Sequence, residues 1–403
     1  MIPLSSIVQA KRRVSTVVDK TTFAYAPNLS EEVNSQIFLK KENLQLTGAY
    51  KIRGAYNKIA SLSDEEKAKG VIAASAGNHA QGVAYSARAF GTKAVIIMPE
   101  ATPLLKVSGT KSLGAEVILH GDNYDEAYAY ATEYAKEHDL TFIHPFEDDA
   151  VIAGQGTVAL EMLDEVNDLD IVVVPIGGGG LISGVASAIK QLDPKIKVIG
   201  VTAKGAPAMY NSFKKGSVVN SKSVRTIADG IAVRDVSEKN LQTILECVDE
   251  IVQVDDEEVA NAVLFLLEKQ KLVVEGGGAA GVAAILHDKF KYDKNSKIGT
   301  ILSGGNIDVQ MLSLIIEKGL IKSHRKMKLL ITLIDKPGAL MRLTDILRSA
   351  NANIIQIDYD RTSTKLAYGD AKITIVLETK GKKHQDQINK KLADNGYEIE
   401  IEV

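Results

Sequence analysis

The sequence predicts an α/β protein with a mostly parallel sheet, followed by a small separate βαββαβ domain. Three features predict it. Helical stretches alternate with short apolar, β-branched runs from about residue 37 to residue 302. Runs such as Ile171–Ile176 are apolar throughout, as for strands buried on both faces. Beyond the basic segment Lys322-Ser323-His324-Arg325-Lys326 the order becomes strand, helix, strand, strand, helix, strand, the ferredoxin-like order.

The elements follow in turn. A helix is expected over Ile7–Val17 and a strand over Ile37–Lys40. Then come Val71–Ala74 (strand), Asn78–Ala89 (helix), Ala94–Met98 (strand, ended by Pro99), Lys106–Leu113 (helix), Ala115–Leu119 (strand) and Tyr124–His138 (helix). After Pro145 the series continues with strand Ile171–Ile176, helix Leu181–Lys190, strand Lys197–Val201, helices Asp256–Gln270 and Gly278–His287, and strand Ile298–Leu302. The tail reads strand Lys328–Ile334, helix Ala339–Ala350, strand Asn353–Tyr359, strand Asp370–Glu378, helix Gln385–Asp394, strand Tyr397–Ile401, with Lys380–Lys383 as a solvated turn. The expected domains are residues 1–325 and 326–403. The first divides into a small subdomain at about 45–150 and a large one from about 1–44 and 151–325.

The chain has 403 residues, 45% hydrophobic and 25% charged, an ordinary globular mix. Lys and Arg total 48 against 51 Asp and Glu, a net charge of −3, which lacks the basic excess of a nucleic-acid binder. The lone cysteine, Cys247, excludes an internal disulfide and reads as a small buried residue of a cytoplasmic protein. Met1-Ile2-Pro3-Leu4 does not open a signal peptide. Ile171–Ile189 is uncharged, but Pro175 and the glycines in its middle argue against a membrane helix. Asp255-Asp256-Glu257-Glu258 reads as a helix start, not a metal site.

Four segments carry chemistry. Val172–Ile176 runs into Gly177-Gly178-Gly179-Gly180, and Leu181 opens a helix; a side-chain-free loop before a helix start cradles an anion such as phosphate. No GxGxxG dinucleotide fingerprint accompanies it. In Thr47-Gly48-Ala49-Tyr50-Lys51-Ile52-Arg53-Gly54 a lysine follows an aromatic at a helix start, where the helix dipole favours the free amine that forms Schiff bases. Ser75-Ala76-Gly77-Asn78-His79 enters a helix from a strand end and suits a carboxylate, or simple capping. Ser303-Gly304-Gly305-Asn306 ends the last core strand; Ser303 either caps the next helix or meets a ring nitrogen.

These segments resemble the fold-type II pyridoxal-phosphate enzymes, of the tryptophan synthase beta-like fold, and among them the threonine dehydratases. TGAYKIRGAYNK, SAGNHAQG, PIGGGGLISG, TIADG and SGGNID stand in the family order across about residues 20–320. Ile334-Asp335-Lys336-Pro337-Gly338-Ala339-Leu340 is similar to the opening of an ACT domain, an amino-acid-sensing module.

The resemblance implies pyridoxal 5'-phosphate as cofactor and, for each matched residue, a role. Lys51 holds the cofactor covalently and removes the substrate α-proton, with Tyr50 beside it. Ser75, Ala76, Gly77, Asn78 and His79 form the loop for the substrate carboxylate, and Asn78 also bonds the cofactor's phenolic oxygen. Gly177, Gly178, Gly179, Gly180 and Leu181 form the phosphate loop, Gly230 lines the pocket, and Ser303 meets the pyridine nitrogen. A neutral hydroxyl at 303 does not keep the ring protonated, which favours expulsion of a β-substituent over transamination. Ala76 stands where serine racemases carry their second acid–base serine. His79 reads as structural.

The expected reaction is therefore deamination of L-threonine, and of L-serine as a second substrate, by loss of water. The alternatives are a serine dehydratase, a serine racemase, or a non-catalytic amino-acid sensor. The further expectations are an amino-acid effector bound at Asp335, Pro337, Gly338 and Leu340, a homo-oligomer (dimer or tetramer), and no metal, nucleic-acid or membrane partner.

Overall fold

The computed structural model describes residues 1–364 and 366–402, with Ile401 and Glu402 described by their backbone alone. It divides into two compact units, Met1–Asp308 and Val309–Val403.

In the first unit β1 (Phe23–Tyr25) pairs antiparallel with β2 (Gln36–Lys40). Next come β3 (Val71–Ala74), β4 (Ala94–Met98), β5 (Glu116–Leu119) and β6 (Thr141–Phe142), an all-parallel sheet in the order β5-β4-β3-β6. β7 (Ile171–Pro175), β8 (Lys197–Ala203), β9 (Glu250–Val254) and β10 (Lys297–Ile301) then join the first two strands in the order β1-β2-β10-β7-β8-β9. Every pair there except β1–β2 is parallel. β3, β4 and β7 are buried at every residue, which is why their sequences are unbroken apolar runs. β1, β6 and β9 are strands beyond those the sequence suggested; the first two are only 3 and 2 residues long.

Three helices bring the two sheets of this unit together through backbone contact. A Cβ on Gly154, in the Asp149–Glu165 helix, would lie 2.4 Å from the Arg53 carbonyl in the Lys51–Ser61 helix. A Cβ on Gly184, in the Gly180–Leu192 helix, would lie 2.4 Å from the Ile152 carbonyl. Only glycine permits such approaches, so the helix that starts at Lys51 and the helix that starts at Gly180 are both clamped to one central helix.

One sequence expectation shifts here, and three hold. The long helix over Asp256–Gln270 is α-helical to Phe265 and widens to a π turn over Leu266–Gln270. Asp255 caps it through a reciprocal capping box with Glu258, so this acidic run is a helix start. The uncharged stretch over residues 171–189 is β7, the glycine loop and a helix, and among the described residues no helix is long and apolar enough to cross a membrane. Cys247 is buried.

The second unit opens with a helix, Val309–Lys322, so it begins ahead of the basic segment. β11 (Lys326–Ile334), β12 (Asn353–Asp360), β13 (Asp370–Glu378) and β14 (Ile399–Glu402) form an antiparallel sheet in the order β12-β13-β11-β14. Its helices are Ala339–Ser349 and Lys382–Asp394; Lys382 and Lys383 therefore belong to a helix rather than a turn. Met327, Leu329, Ile331 and Leu333 alternate inward along β11, and Ala371, Ile373, Ile375 and Leu377 along β13. Leu343, Leu347, Ile388 and Leu392 from the two helices cover them.

Candidate active site

Lys51 is the first residue of its helix, and its Nζ donates to the Pro145 carbonyl at 2.7 Å. Burial pulls the amine down to about 8, while the nearby Glu275 carboxylate works the other way. Desolvation by burial is the largest cause. The Tyr50 ring lies beneath the ammonium, 5.4 Å from its centre, and burial pushes the Tyr50 phenol up. The Tyr50 N–H donates to the Ser303 carbonyl at 3.1 Å, and Ala49 bridges to Gly304. Ser303 is buried but caps no helix, because the next one starts at Val309.

Asn78 opens the helix after β3. Its Nδ2 donates to Glu275 Oε1 at 2.7 Å, and its Oδ1 accepts from Asn306 Nδ2 at 2.7 Å. Asn306 Nδ2 also donates to the Thr47 carbonyl at 2.8 Å. In the same loop the Gly77 N–H donates to Ser75 Oγ at 3.2 Å, and Ala76 packs against the core of the β3–β6 sheet. His79 is buried; its Nε2 donates to the Ile143 carbonyl at 2.8 Å, and burial takes its pKa to about 3. A neutral ring anchored to the backbone fits the structural reading of this histidine. Gly82, one turn on, brings this helix against Lys51: a Cβ there would sit 3.2 Å from the Lys51 carbonyl.

The glycine loop closes the ring. A Cβ on Gly177 would lie 2.9 Å from Ile231 Cα, so the loop abuts the Gly230 turn. A Cβ on Gly178 would lie 2.5 Å from the Phe146 ring, next in sequence to the carbonyl that holds Lys51. Gly179 has φ +90° and caps the Gly180–Leu192 helix without a side-chain hydrogen bond. Leu181 is buried in that helix's first turn. Thus Lys51, Tyr50, Asn78, the glycine loop, Gly230 and Ser303 converge on one place.

Sequence reasoning missed four participants. Glu275 lies against two glycines of the site, since a Cβ on Gly230 or Gly304 would come within 2.8 or 2.4 Å of its Oε1. Burial raises its carboxyl to about 7, against hydrogen bonds from Asn78 and the Asn306 backbone. The signal was a single carboxylate between Leu272-Val273-Val274 and Gly276-Gly277-Gly278. Asn306, at the end of the Ser303–Asn306 segment, brings a side chain that sequence reasoning left without a role. Phe146 covers the glycine loop. Gln155 is fully buried, with neither side-chain polar atom partnered among the described residues, and a Cβ on Gly180 would sit 2.9 Å from its Oε1.

These residues fit pyridoxal phosphate. A phosphate needs N–H donors without side-chain crowding; the uncapped helix start at Gly180 and the unpartnered Gln155 amide supply such a setting. The cofactor carbonyl needs an amine whose ionisation lies near neutrality, and Lys51 has one.

Comparison with known proteins agrees. The family described as "Pyridoxal-phosphate dependent enzyme" matches residues 14–304. An L-threonine ammonia-lyase of Thermotoga maritima is 48% identical over 402 residues, covering 100% of both chains. A catabolic L-threonine dehydratase of Escherichia coli K12 is 43% identical over 77% of this chain and 95% of its own. Among solved structures, threonine deaminase isoform 2 of Solanum lycopersicum superposes with a TM-score of 0.75 at 38% identity, over 78% of this chain and 86% of its own. Maize serine racemase does so with a TM-score of 0.75 at 36% identity, over 80% and 99%.

Proposed function

We infer the reaction of this chain from its family: the chain belongs to the pyridoxal-phosphate-dependent enzymes. It deaminates L-threonine to 2-oxobutanoate and ammonia by loss of water, and L-serine is its second substrate. The full-length likeness to the T. maritima L-threonine ammonia-lyase supports the substrate. The observation that carries the chemistry is the buried Lys51 amine, poised at about 8 between Pro145, Tyr50 and Glu275.

When bound, pyridoxal phosphate supplies the carbonyl that condenses with amines and the conjugated system that accepts the electron pair left at Cα. The chain supplies the rest. The glycine loop and the helix start at Gly180 hold the phosphate, and Asn78 the phenolic oxygen. Ser303 would meet the ring nitrogen with a neutral hydroxyl. Ser75, Gly77 and Asn78 receive the substrate carboxylate. Lys51, as a free amine, would take the α-proton. The β-hydroxyl would leave as water with the proton that Lys51 took, and the released enamine would rearrange and hydrolyse to the 2-oxo acid and ammonia. His79, neutral and tied to the backbone, takes no part.

The second unit is read as an ACT domain whose turn Asp335–Gly338 and Leu340 receive an amino-acid effector, and the enzyme as a cytoplasmic homo-oligomer. The strand order β12-β13-β11-β14 and the left-handed Gly338 (φ +80°) ahead of the Ala339–Ser349 helix support this reading.

The test is Lys51→Ala. Borohydride reduction followed by mass spectrometry should find the cofactor attached to Lys51 in the parent and to no lysine in the variant. Formation of 2-oxobutanoate from threonine should fall by several orders of magnitude. Unchanged attachment and turnover in the variant would refute the assignment.

A further inference from the structure

We propose that Glu275 is a positioning residue: with Asn306 it fixes which way the Asn78 side-chain amide faces in the cofactor site. The proposal rests on the reading of Asn78 as a cofactor-binding residue.

A side-chain amide has a carbonyl end and an NH₂ end of nearly equal size, so its hydrogen-bond partners decide its orientation. Asn78 is held at both ends. Its Oδ1 accepts from Asn306 Nδ2 at 2.7 Å, a donor itself fixed by the Thr47 carbonyl at 2.8 Å. Its Nδ2 donates one N–H to Glu275 Oε1 at 2.7 Å. Flipping the amide would set carbonyl oxygen against carboxylate and NH₂ against NH₂. One N–H of Asn78 remains, and its direction is the one this pair of partners selects. An anionic phenolic oxygen needs a donor there, and a flipped Asn78 would offer it an acceptor.

The surroundings keep Glu275 in place. Its backbone N–H donates to the Gly304 carbonyl at 3.0 Å, and the Asn306 backbone donates to its carboxylate. Gly230 and Gly304 leave the room that the carboxylate fills, since a Cβ at either would collide with it. Asp229, Lys106 and Lys51 are the charged groups around it. Burial raises this carboxyl to about 7 against donors that both belong to the Asn78 cluster, so affinity is measured at pH 8, where it is an ionised acceptor.

The test is a double-mutant cycle on cofactor affinity, measured by equilibrium dialysis of the cofactor-stripped protein against pyridoxal phosphate. Glu275→Ala alone should raise the Kd about tenfold, the scale of one lost charge-assisted hydrogen bond. In an Asn78→Ala background the same change should shift the Kd by less than twofold, because the group it orients is gone. Glu275→Gln, which keeps the shape and one acceptor, should recover most of the parent affinity; should Glu275→Ala fail to fold by circular dichroism, the cycle is run with Glu275→Met, which fills the space without an acceptor, and the same non-additivity is expected. Equal shifts in both backgrounds, or no shift in the parent, would overturn the proposal. Because dialysis involves no substrate, a failure of the threonine reading leaves this result intact.

Discussion

Arg53 grips Glu161 with a two-bond fork, Nη1 to Oε1 at 2.7 Å and Nη2 to Oε2 at 2.9 Å, just two residues beyond Lys51 on the same helix. Both side chains are buried, and they do not stand alone. Arg53 Nε and Nη2 donate to the two oxygens of Glu42, each at 2.8 Å, and Lys40 Nζ donates to Glu161 at 2.5 Å. Two cations and two carboxylates thus tie together β2, the turn after it, the Lys51–Ser61 helix and the central helix Asp149–Glu165.

Breaking this network should be costly. Arg53→Met would leave Glu42 and Glu161 facing one buried cation, a loss of about 3–5 kcal/mol by the usual cost of an orphaned buried charge. Urea midpoints of the cofactor-stripped proteins check this; a change under about 1 kcal/mol would contradict it. The pH sign follows from Glu42. Burial works to raise its carboxyl, but Arg53 and Lys40 hold it below the ordinary 4.5. Its stabilisation is therefore complete above about 4.5 and lost as the pH falls through the lower folded value. Glu42→Gln should flatten that part of the acid limb, seen as a smaller drop in urea midpoint between pH 5 and pH 3.

The glycine loop predicts a sharp contrast between two glycines. Gly178→Ala would drive a methyl into the Phe146 ring, 2.5 Å from the ideal Cβ, and should cost about 1–3 kcal/mol as well as weaken phosphate retention. Gly109, within the Leu104–Ser112 helix, has nothing within 4 Å of a Cβ. Gly109→Ala should stabilise by about 0.5–1 kcal/mol and leave cofactor affinity unchanged. Thermal melts and cofactor dialysis on both variants decide it.

The same glycines explain what a sequence can reveal. β7 and its loop were legible because burial on both faces demands an apolar run and the cradle demands absent side chains; both constraints are written locally. Lys51 stood out by its place after an aromatic at a helix start, but a lysine there carries no local mark of its burial, so its role came from the resemblance. The network of Arg53 gathers residues 40, 42, 53 and 161, and the Asn78–Glu275 bond joins residues 197 apart. No periodicity reports such a pairing. β1 and β6 were too short to show a pattern, and in β9 polar Glu250 and Gln253 break the apolar run without a regular period.

Ala76 predicts the fate of L-serine. It packs against the β3–β6 core, and its methyl group can neither give nor take a proton. Serine supplied to the enzyme should give pyruvate in large excess over D-serine, resolved by chiral chromatography. Ala76→Ser should raise the D-serine fraction at least severalfold. D-serine formed by the parent as fast as pyruvate would show that a proton donor stands elsewhere.

The second unit predicts amino-acid control. Its turn Asp335–Gly338 joins β11 to the Ala339–Ser349 helix, and β12 braces it: Tyr359 Oη donates to Asp335 Oδ1 at 2.8 Å, and Arg361 Nε lies 3.1 Å from Asp335 Oδ2. Gly338, at φ +80°, stands ahead of a helix with no side-chain cap, the kind of helix start that suits a carboxylate. The E. coli relative reaches 95% coverage of its own length with 77% of this chain, whereas the T. maritima relative matches throughout. A first unit working without the second is therefore a reasonable variant to make. In the intact enzyme, titration with isoleucine, valine and the other amino acids should shift the threonine KM for at least one of them by about 5–150-fold, the range of ordinary allosteric coupling. Deleting residues 309–403 should retain turnover and abolish the shift. Gly338→Asp, placing a like charge at the carboxylate position and straining a left-handed backbone, should abolish it while leaving the unliganded rate within twofold. If no amino acid alters the rate and calorimetry on the full chain shows no binding outside the active site, the second unit is a structural module and the effector reading falls.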